Sequence, residues 1–304
     1  MKIPFVKFSR VWYTIVIITM ILAIGATMRW GLRLGIDFRG GSLLEISFSS
    51  VRPELNTIQT ILESDLKIKN SVIQKAGDNK YIIRTEFLSE DEHQAIIKGL
   101  RDKLQNNDNK VIEDRFEAIG PAVSQQLRQR AILSIIFVSI GIIAYVAYAF
   151  RKVSRPIASW KYGALAIVAQ LHDIILVVGV FAVLGHFRGV EVGLDFVVAL
   201  LTVLGYSVTD TIVVYDRIRE NLLRHGSDNF FEVVNDGLNQ TLMRSINTTA
   251  TIVLPLLALF LLGGASIKYF ALALLIGMVS GAYSSIFIAS PLLATVEKRQ
   301  RQAA

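Results

Sequence analysis

Hydrophobic residues along the chain form six long runs, and each is close to the roughly 20 residues that an α-helix needs to cross a bilayer core. Ionisable residues interrupt only two of the runs, the third with His172 and Asp173 and the fourth with Asp195 and Asp210. This pattern predicts an α-helical polytopic membrane protein with six transmembrane helices. The runs are Val11–Met28, Ala131–Phe150, Tyr162–Gly185, Leu194–Tyr215, Ser245–Ile267 and Tyr269–Val296.

The first run has a second interpretation, a cleaved signal peptide. Its apolar stretch is longer than a typical signal core, and no small-residue cleavage site followed by a polar segment comes after it. We therefore expect this run to be a retained membrane anchor.

Residues 30–130 show a different pattern, in which charged, polar and apolar residues alternate over short distances. Period-two alternation predicts strands, and Ser89 followed by Glu92 is the capping-box pattern that opens a helix. The resulting order is β-α-β-β-α-β, which predicts a small α+β ferredoxin-like domain. This domain is either an inert cap or a moving or binding domain. The predicted segments are strand Gly41–Phe48, helix Pro53–Lys67, strands Val72–Lys75 and Lys80–Phe87, a helix from Ser89 to Leu104, and strand Lys110–Ala118.

These patterns divide the chain into four parts. They are a cytoplasmic tail with the first transmembrane helix at 1–29, an extracytoplasmic α+β domain at 30–130, a five-helix transmembrane bundle at 131–296 and a cytoplasmic tail at 297–304. The sides follow from the excess of Lys and Arg in cytoplasmic loops, which predicts that both termini are cytoplasmic. The opposite short loops hold only Arg188 and Lys268. The basic residues on the cytoplasmic side are Lys2, Lys7, Arg10, Arg151, Lys152, Arg155, Lys161, Arg217, Arg219, Arg224, Lys298, Arg299 and Arg301.

Between the fourth and fifth runs, the sequence predicts a separate amphipathic helix that lies on the membrane surface and is capped by Ser227 or Asp228. The apolar face of this helix would consist of Phe230, Phe231, Val233, Val234 and Leu238.

Composition narrows the possible functions. The chain is 52% hydrophobic, has a net charge of +7 and contains no cysteine. Because the loop topology accounts for the positive charge, nucleic acid is not an expected partner. The absence of cysteine excludes disulfides and thiolate metal ligands, and the four histidines show no ligand spacing. We find no nucleotide-binding or hydrolase motif, so we predict no catalytic residue, no metal site and no cofactor.

Asp210 is the strongest candidate functional residue. An ionised Asp in hydrocarbon is costly, so such a residue usually has a partner or a function. One interpretation is structural, with a neutral Asp210 that hydrogen-bonds Ser or Thr on a neighbouring helix. The other is a titrating site on a proton pathway, supported by Ser207 and Thr211 nearby on the same helix. We predict the second.

Arg244 is the predicted cation for Asp210. Arg244, Asn247, Thr248 and Thr251 recur at i, i+3, i+4 and i+7 and form a polar stripe on one face of the fifth run. A lipid-facing helix would not carry this stripe, so we expect the stripe to face protein or water. The alternative for Arg244 alone is that its side chain extends to the lipid headgroups.

Asp173 is a second candidate on the proton pathway, in the middle of the third run. Its alternative is a purely structural contact. His172 is its neighbour in the chain, and we expect the imidazole to point elsewhere.

A glycine-rich segment, GIDFRGG, joins the first run to the first strand. Glycine allows positive φ and close backbone approach. The segment lacks the lysine and the following helix of a nucleotide loop, so its spacing favours a tight turn with an internal contact between Asp37 and Arg39. A Gly-Pro pair precedes the second run. The candidate motif and hinge residues are Gly35, Asp37, Arg39, Gly40, Gly41, Gly120 and Pro121.

Five stretches together resemble the SecD/SecF family of bacterial protein-export membrane proteins. They follow one another in the expected order: residues 35–41 (GIDFRGG), 117–124 (EAIGPAVS), 171–173 (LHD), 205–221 (GYSVTDTIVVYDRIREN) and 238–249 (LNQTLMRSINTT).

The resemblance implies a multi-pass protein of the bacterial inner membrane that is related to the resistance-nodulation-division (RND) superfamily. It implies SecD as a partner with a matching set of six helices, together with the SecYEG channel, YajC, membrane lipid and unfolded preprotein. It also implies that the proton motive force drives outward movement or release of preprotein. The family's proton-pathway acid falls on Asp210, and its arginine falls on Arg244.

Two other functions stay open. One is half of an RND-type exporter of small molecules or lipids, and the other is a non-conducting scaffold of the translocase. The coupling ion is also open, because a carboxylate with Ser and Thr neighbours could serve H⁺ or Na⁺.

Overall fold

The computed structural model describes residues 2–68, 70–106, 108–151, 157–225 and 229–303, and it divides into two compact units. One unit is Leu34–Ala131, and the other combines Met1–Arg33 with Ile132–Ala304. In chain order the helices are α1 (Ser9–Trp30), α2 (Ile36–Arg39), α3 (Leu55–Thr60), α4 (Glu90–Leu104), α5 (Pro121–Ala149), α6 (Ser159–Arg188), α7 (Leu194–His225), α8 (Phe230–Leu262), α9 (Ala265–Ser284) and α10 (Ser290–Ala303). The strands are β1 (Gly41–Phe48), β2 (Val72–Ala76), β3 (Lys80–Thr85) and β4 (Val111–Ile119).

The unit Leu34–Ala131 has the predicted β-α-β-β-α-β order. Its four strands form an antiparallel sheet in the order β2-β3-β1-β4, with a β-bulge at Glu45 and Ile46 in the β1–β4 pair. Apolar side chains from the sheet, α3 and α4 form one core, with Ile46, Phe48 and Leu100 fully buried. The predicted α+β fold is therefore confirmed.

Two predicted elements of this unit have bounds that differ by two residues or more. The predicted helix Pro53–Lys67 begins only at Leu55, and its α-helical part ends at Thr60. A π-helical turn then continues to Asp65. The predicted strand Lys80–Phe87 ends at Thr85.

The glycine-rich segment contains a helical turn, α2, instead of the tight turn that spacing favoured. Residues two apart on a helix point to opposite sides, so the expected contact between Asp37 and Arg39 does not form. Among the described residues Arg39 has no ion pair and is exposed. Gly40 and Gly41 follow with φ of 77° and 124°, which explains their residue type.

The Gly-Gly and Gly-Pro motifs meet in this unit. A Cβ atom on Gly40 would lie 3.3 Å from the Ile119 carbonyl oxygen and 3.5 Å from Pro121 Cα. Pro121 is the first residue of α5, where its fixed φ and missing N–H suit a helix start. Two motifs that are about 80 residues apart in sequence therefore form one structural element.

Within the described ranges, six helices are long and apolar enough to cross a membrane. One of them, α5, begins in the unit Leu34–Ala131 and continues into the other unit. The predicted transmembrane architecture is confirmed, and the chain is a membrane protein. The six helices are Ser9–Trp30, Pro121–Ala149, Ser159–Arg188, Leu194–Arg224, Phe230–Leu262 and Ile267–Gln300.

The predicted surface helix between the fourth and fifth runs was wrong. Its residues form the first turns of the continuous helix α8, and Phe230, Val234 and Leu238 are buried in the core of the unit. Ser227 and Asp228 lie outside the described residues, and the side chain of Asn229 caps the helix. The fifth span also ends earlier than predicted, at Leu262.

Burial differs strongly among the six long helices. Large parts of α6, α7 and the α9–α10 segment are buried, whereas α1, α5 and most of α8 are exposed. The π-helical turn Ser285–Ala289 joins α9 to α10 and is itself mostly buried. Helices α6, α7 and α9 therefore form the centre of this unit.

We expect Ser89→Ala to destabilise the start of α4. The Ser89 hydroxyl accepts a hydrogen bond from the Glu92 N–H, and the Glu92 carboxylate accepts one from the Ser89 N–H at 2.8 Å. Loss of such a cap costs about 1 kcal/mol. Faster amide hydrogen exchange in the first turn of α4 would report this loss, and Ser89→Asp should restore protection. Equal protection in wild type and Ser89→Ala would contradict it.

The same cap should weaken in acid. The backbone hydrogen bond from Ser89, and then its side chain, lower the pKa of Glu92 below its ordinary value of 4.5. A lowered folded-state pKa gives stability that is present above the unfolded pKa and is lost as the pH falls through the folded one. Protection of the first α4 turn should therefore decrease below about pH 4.5. In Glu92→Gln this decrease should be smaller, and an identical decrease would exclude Glu92 as its origin.

Candidate functional site

Asp173 on α6 lies at the centre of a buried polar cluster. The residue is 0% exposed, and both carboxylate oxygens accept hydrogen bonds. Oδ2 accepts from Ser207 of α7 at 2.7 Å and from Ser284 of α9 at 2.8 Å. Oδ1 accepts from Ser280 of α9 at 2.6 Å. One carboxylate thus joins the three central helices.

The His172 imidazole also belongs to this cluster. Its Nδ1 lies 3.1 Å from Asp173 Oδ1, and the histidine is 3% exposed. The expectation that His172 points elsewhere was therefore wrong. Successive helical side chains are only about 100° apart, so a long imidazole and a short carboxylate can bend towards each other. With Nδ1 protonated, the imidazole is a fourth donor to Asp173.

Close packing of α9 against α7 brings the serines within reach. A Cβ atom on Gly277 would lie 2.2 Å from Val203 Cγ2, and one on Gly281 would lie 3.0 Å from Ser207 Cβ. Small residues four apart let helix backbones approach closely, which is how helices associate in membranes. The two glycines therefore place Ser280 and Ser284 beside the α6 carboxylate.

Asp210 on α7 has a different environment. Its Oδ1 accepts a hydrogen bond from the hydroxyl of Ser245 on α8 at 2.8 Å. Its Oδ2 is buried and has no hydrogen-bond partner among the described residues. The residue is 7% exposed. Asp210 is thus a buried acid with one hydrogen-bonded oxygen atom and one that accepts no hydrogen bond in this geometry, with the Ser285 hydroxyl as a nearby donor.

Arg244 does not pair with Asp210 in this structure. The side chain is exposed on α8, and across the described part of the chain it has no ion pair. The neighbouring Ser245 makes the direct contact, because a one-residue step turns a helix by about 100°. The expectation of a direct bond between Asp210 and Arg244 was wrong for this state.

The other residues of the predicted polar stripe have the same exposed environment as Arg244. Asn247, Thr248 and Thr251 are exposed on α8 in the single chain. The hydroxyls of Thr248 and Thr251 donate to carbonyl oxygens of their own helix, at 2.8 Å each. Among the described residues, these three side chains form no hydrogen bond or ion pair with another helix.

Ser207 and Thr211 lie near Asp210 in sequence but contact other groups. The Ser207 hydroxyl donates to Asp173, and the Thr211 hydroxyl lies 2.8 Å from the Ser285 hydroxyl. Ser285 begins the π-helical turn after α9, and π turns occur frequently at functional sites. The two residues thus connect α7 to α6 and α9, and neither bonds Asp210.

Sequence reasoning missed several members of the site. Ser245 lies in the stretch 238–249, but the contact with Asp210 was assigned to its charged neighbour Arg244. Ser280 and Ser284 were hidden in an uncharged run, although their i, i+4 spacing beside Gly277 and Gly281 was a usable signal. A second contact between α7 and α8, from the Tyr206 hydroxyl to the Thr249 hydroxyl at 3.0 Å, had no sequence signal.

The two acids differ chemically in their donor count. Both oxygen atoms of Asp173 accept hydrogen bonds from serine hydroxyls, and the His172 imidazole adds a fourth donor when Nδ1 is protonated. Asp210 receives one, so Oδ2 is free to carry a proton or to meet another donor. No group of three or more His, Cys, Asp or Glu side chains in the described ranges could hold a metal ion.

Two protein-family models match the chain. The model of the protein export membrane protein SecD/SecF, C-terminal, matches residues 100–299. The model of the SecD/SecF GG motif matches residues 31–50, which include Gly40 and Gly41.

Curated relatives match over nearly the whole chain. The protein translocase subunit SecF of Thermobaculum terrenum is 42% identical, covering 94% of this chain and 92% of the relative. SecF of Synechocystis is 36% identical over 97% and 94% of the two chains. A SecDF subunit of Brucella abortus is 34% identical over 99% of this chain but only 38% of its own length. These names describe transport subunits, so the role is transport and not enzymatic catalysis.

Solved structures of SecDF match as well. The translocon-associated membrane protein SecDF from Thermus thermophilus has a TM-score of 0.83 at 30% identity, covering 98% of this chain. SecDF in its super-membrane-facing form has a TM-score of 0.70 at 30% identity. The chain spans about two fifths of each SecDF chain, at 39% and 40%. From the family models and the curated relatives we conclude that this chain belongs to the SecD/SecF family of protein export membrane proteins.

Proposed function

We propose that the chain couples the proton motive force to Sec-dependent protein translocation and promotes outward movement or release of preprotein. The observation that carries the proposal is the free Oδ2 atom of Asp210, a buried acid in a membrane-spanning helix. An unsatisfied carboxylate oxygen at this depth is costly, so it is retained where protonation or a changing partner serves a function.

A membrane gradient supplies sufficient energy for this work. One elementary charge crossing 100 mV is worth about 2.3 kcal/mol. A few protons per cycle are enough to bias an element with two positions that differ by a few kcal/mol. The chain has no nucleotide-binding motif, which favours a gradient as the energy source.

The proposed cycle begins at Asp210. Protonation from the outer side removes the negative charge that attracts Arg244, so the electrostatic contact between α7 and α8 weakens. The two helices then shift, and the α+β unit moves at hinges in the Gly35–Gly41 and Gly120–Pro121 segments. Release of the proton to the inner side restores the starting state. The proposed supporting polar residues are Ser207 and Thr211 on α7 and Asn247, Thr248 and Thr251 on α8.

We propose SecD as the direct partner. A fused SecDF relative and the SecDF structures place the counterparts of this chain in one polypeptide with a longer remainder. The exposed stripe of Arg244, Asn247, Thr248 and Thr251 supports a protein neighbour, since a charged and polar helix face in lipid is unfavourable.

Membership of the SecD/SecF family also suggests where the protein is located and which further proteins it binds. We propose the bacterial inner membrane as the location, with both termini cytoplasmic and residues 30–130 extracytoplasmic. SecYEG, YajC, lipid and unfolded preprotein are the proposed further partners. The excess of basic residues in the tails and in one set of short loops supports this orientation.

We expect Asp210→Asn to abolish both ion flux and gradient-dependent export, because the amide cannot exchange a proton. Arg244→Met should do the same by removing the counter-charge. Reconstituted vesicles containing this chain and SecD would measure flux and preprotein export together. Asp216→Asn is the matched control, since Asp216 is on the same helix with its side chain 66% exposed. Repeating the assay without Na⁺ identifies the coupling ion.

Export that persists without flux in assembled variants would contradict coupling and favour the scaffold function. Flux of a small molecule or lipid without SecD would favour the exporter function.

We expect Asp173→Ala to lower the free energy of unfolding by about 3–5 kcal/mol, the cost of leaving buried polar partners without their charge. Three hydroxyls and one imidazole lose their acceptor. Asp216→Ala, which removes an exposed ion pair, should cost less than about 1 kcal/mol. Denaturant unfolding in detergent micelles measures both. Equal losses would contradict the anchoring role of Asp173.

A further inference from the structure

The amino-terminal segment of the chain is fastened to α8 by the Asn239 side chain. Asn239 Oδ1 accepts a hydrogen bond from the Ile3 N–H at 2.8 Å, and Asn239 Nδ2 donates to the Ile3 carbonyl oxygen at 2.9 Å. One amide side chain thus satisfies both backbone groups of a residue that is 236 positions away. An apolar or charged side chain at position 239 could not make both bonds.

Other contacts extend this fastening over residues 2–6. Lys2 Nζ donates to Asp236 at 2.8 Å, and the Val6 N–H donates to Asn235 Oδ1 at 3.4 Å. Phe5 and Val6 are each 3% exposed. The Phe5 ring packs edge-on against Phe287 with centroids 5.7 Å apart, and Phe287 lies in the π-helical turn that starts at Ser285.

The next residue, Gln240, fastens α7 to α8. Its Oε1 accepts hydrogen bonds from Arg217 Nε at 2.6 Å and from Asn221 Nδ2 at 3.0 Å. Close approach at Gly237 supports the contact, because a Cβ there would lie 2.7 Å from Ile218 Cγ1. Consecutive side chains of α8 therefore hold two different segments.

We propose that Asn239 and Gln240 are positioning residues for the ion-coupling site. We call the latch the set of contacts that these two side chains make with Ile3, Arg217 and Asn221. The inference rests on the proposed function. Gln240 sets the register of α8 against α7, and Asn239 fixes the same turn of α8 against the amino-terminal segment. This register places the Ser245 hydroxyl on Asp210.

The latch is close enough to the site along both helices for a change of helix register at the latch to move Ser245 relative to Asp210. Gln240 precedes Ser245 by five residues, about 7.5 Å at 1.5 Å per residue. Arg217 follows Asp210 by seven residues, about 10 Å. Both α7 and α8 are continuous helices over these intervals. A slip of one helical turn at the latch would carry Ser245 about 5.4 Å away from Asp210.

The chemistry of Gln240 supplies a conservative variant. Gln240→Glu keeps the two acceptor interactions with Arg217 and Asn221, whereas Gln240→Ala removes them. At position 239, Asp keeps the acceptor for the Ile3 N–H and loses the donor, whereas Ala loses both. Lys2→Ala is the control within the same segment, since the Lys2 side chain is 68% exposed.

Spin labels measure the helix register directly, because the chain contains no cysteine to remove. Leu223→Cys on α7 and Met243→Cys on α8 are exposed labelling sites, at 71% and 64%. We expect a single narrow distance distribution in the full chain with SecD. Asn239→Ala and Gln240→Ala should broaden it, Asn239→Asp should broaden it less, and Gln240→Glu and Lys2→Ala should leave it unchanged.

The functional readout is the pH profile of ion flux in the same vesicles. A change in the contact at Asp210 should shift the midpoint of the profile by about half a pH unit or more in both alanine variants. A purely structural role would lower the amplitude and leave the midpoint in place. Gln240→Glu should restore the wild-type midpoint.

An unchanged label distance or an unmoved midpoint in the alanine variants would overturn the latch. If those variants fail to insert, the same two readouts on Asn239→Asp decide the question. Absence of pH-dependent flux in wild type would instead contradict the proposed coupling, and the label distances would still report on the latch.

Discussion

A carboxylate inside a membrane-spanning helix is tolerated only when hydrogen-bond donors replace the water that it has lost. The central helices are organised around this constraint. Asp173 receives three serine hydroxyls and one imidazole, and these donors come from α6, α7 and α9. Asp210 receives only the Ser245 hydroxyl and leaves Oδ2 unpaired among the described residues. The first acid therefore joins three helices, whereas the second keeps an oxygen atom that could accept a proton or a further hydrogen bond.

This division separates a fixed part from a movable one. Helices α6, α7 and α9 are joined at Asp173 and packed closely at Gly277 and Gly281. Helix α8 is mostly exposed, and its polar ties to α7 include the hydroxyl pair of Tyr206 and Thr249, the Asp210 contact and the latch. The first turns of α8 are held in the apolar core by Phe230, Val234 and Leu238. From Ile246 onward, Leu256 is the one buried residue among the described residues of α8, so movement of this later part would break a few hydrogen bonds and little apolar packing, as expected of an element with two positions.

Local patterns predicted most of the fold, because six apolar runs, strand alternation and the capping box at Ser89 depend on neighbouring residues. The same patterns identified Asp173 and Asp210 as unusual. They could not predict that Ser245 and not Arg244 contacts Asp210, since one residue step on α8 decides which side chain faces α7. Nor could they predict that Ser280 and Ser284 surround Asp173, because that depends on close helix packing at Gly277 and Gly281.

The protonation state of Asp210 is the quantity on which the proposed coupling mechanism depends. Difference infrared spectroscopy of the reconstituted chain with SecD, between neutral and acid pH, detects a protonated carboxyl group directly. We expect a carboxyl band that appears on acidification, disappears in Asp210→Asn and persists in Asp173→Asn. A band that persists in Asp210→Asn, or one that disappears in Asp173→Asn, would contradict the assignment of Asp210 as the proton-binding acid.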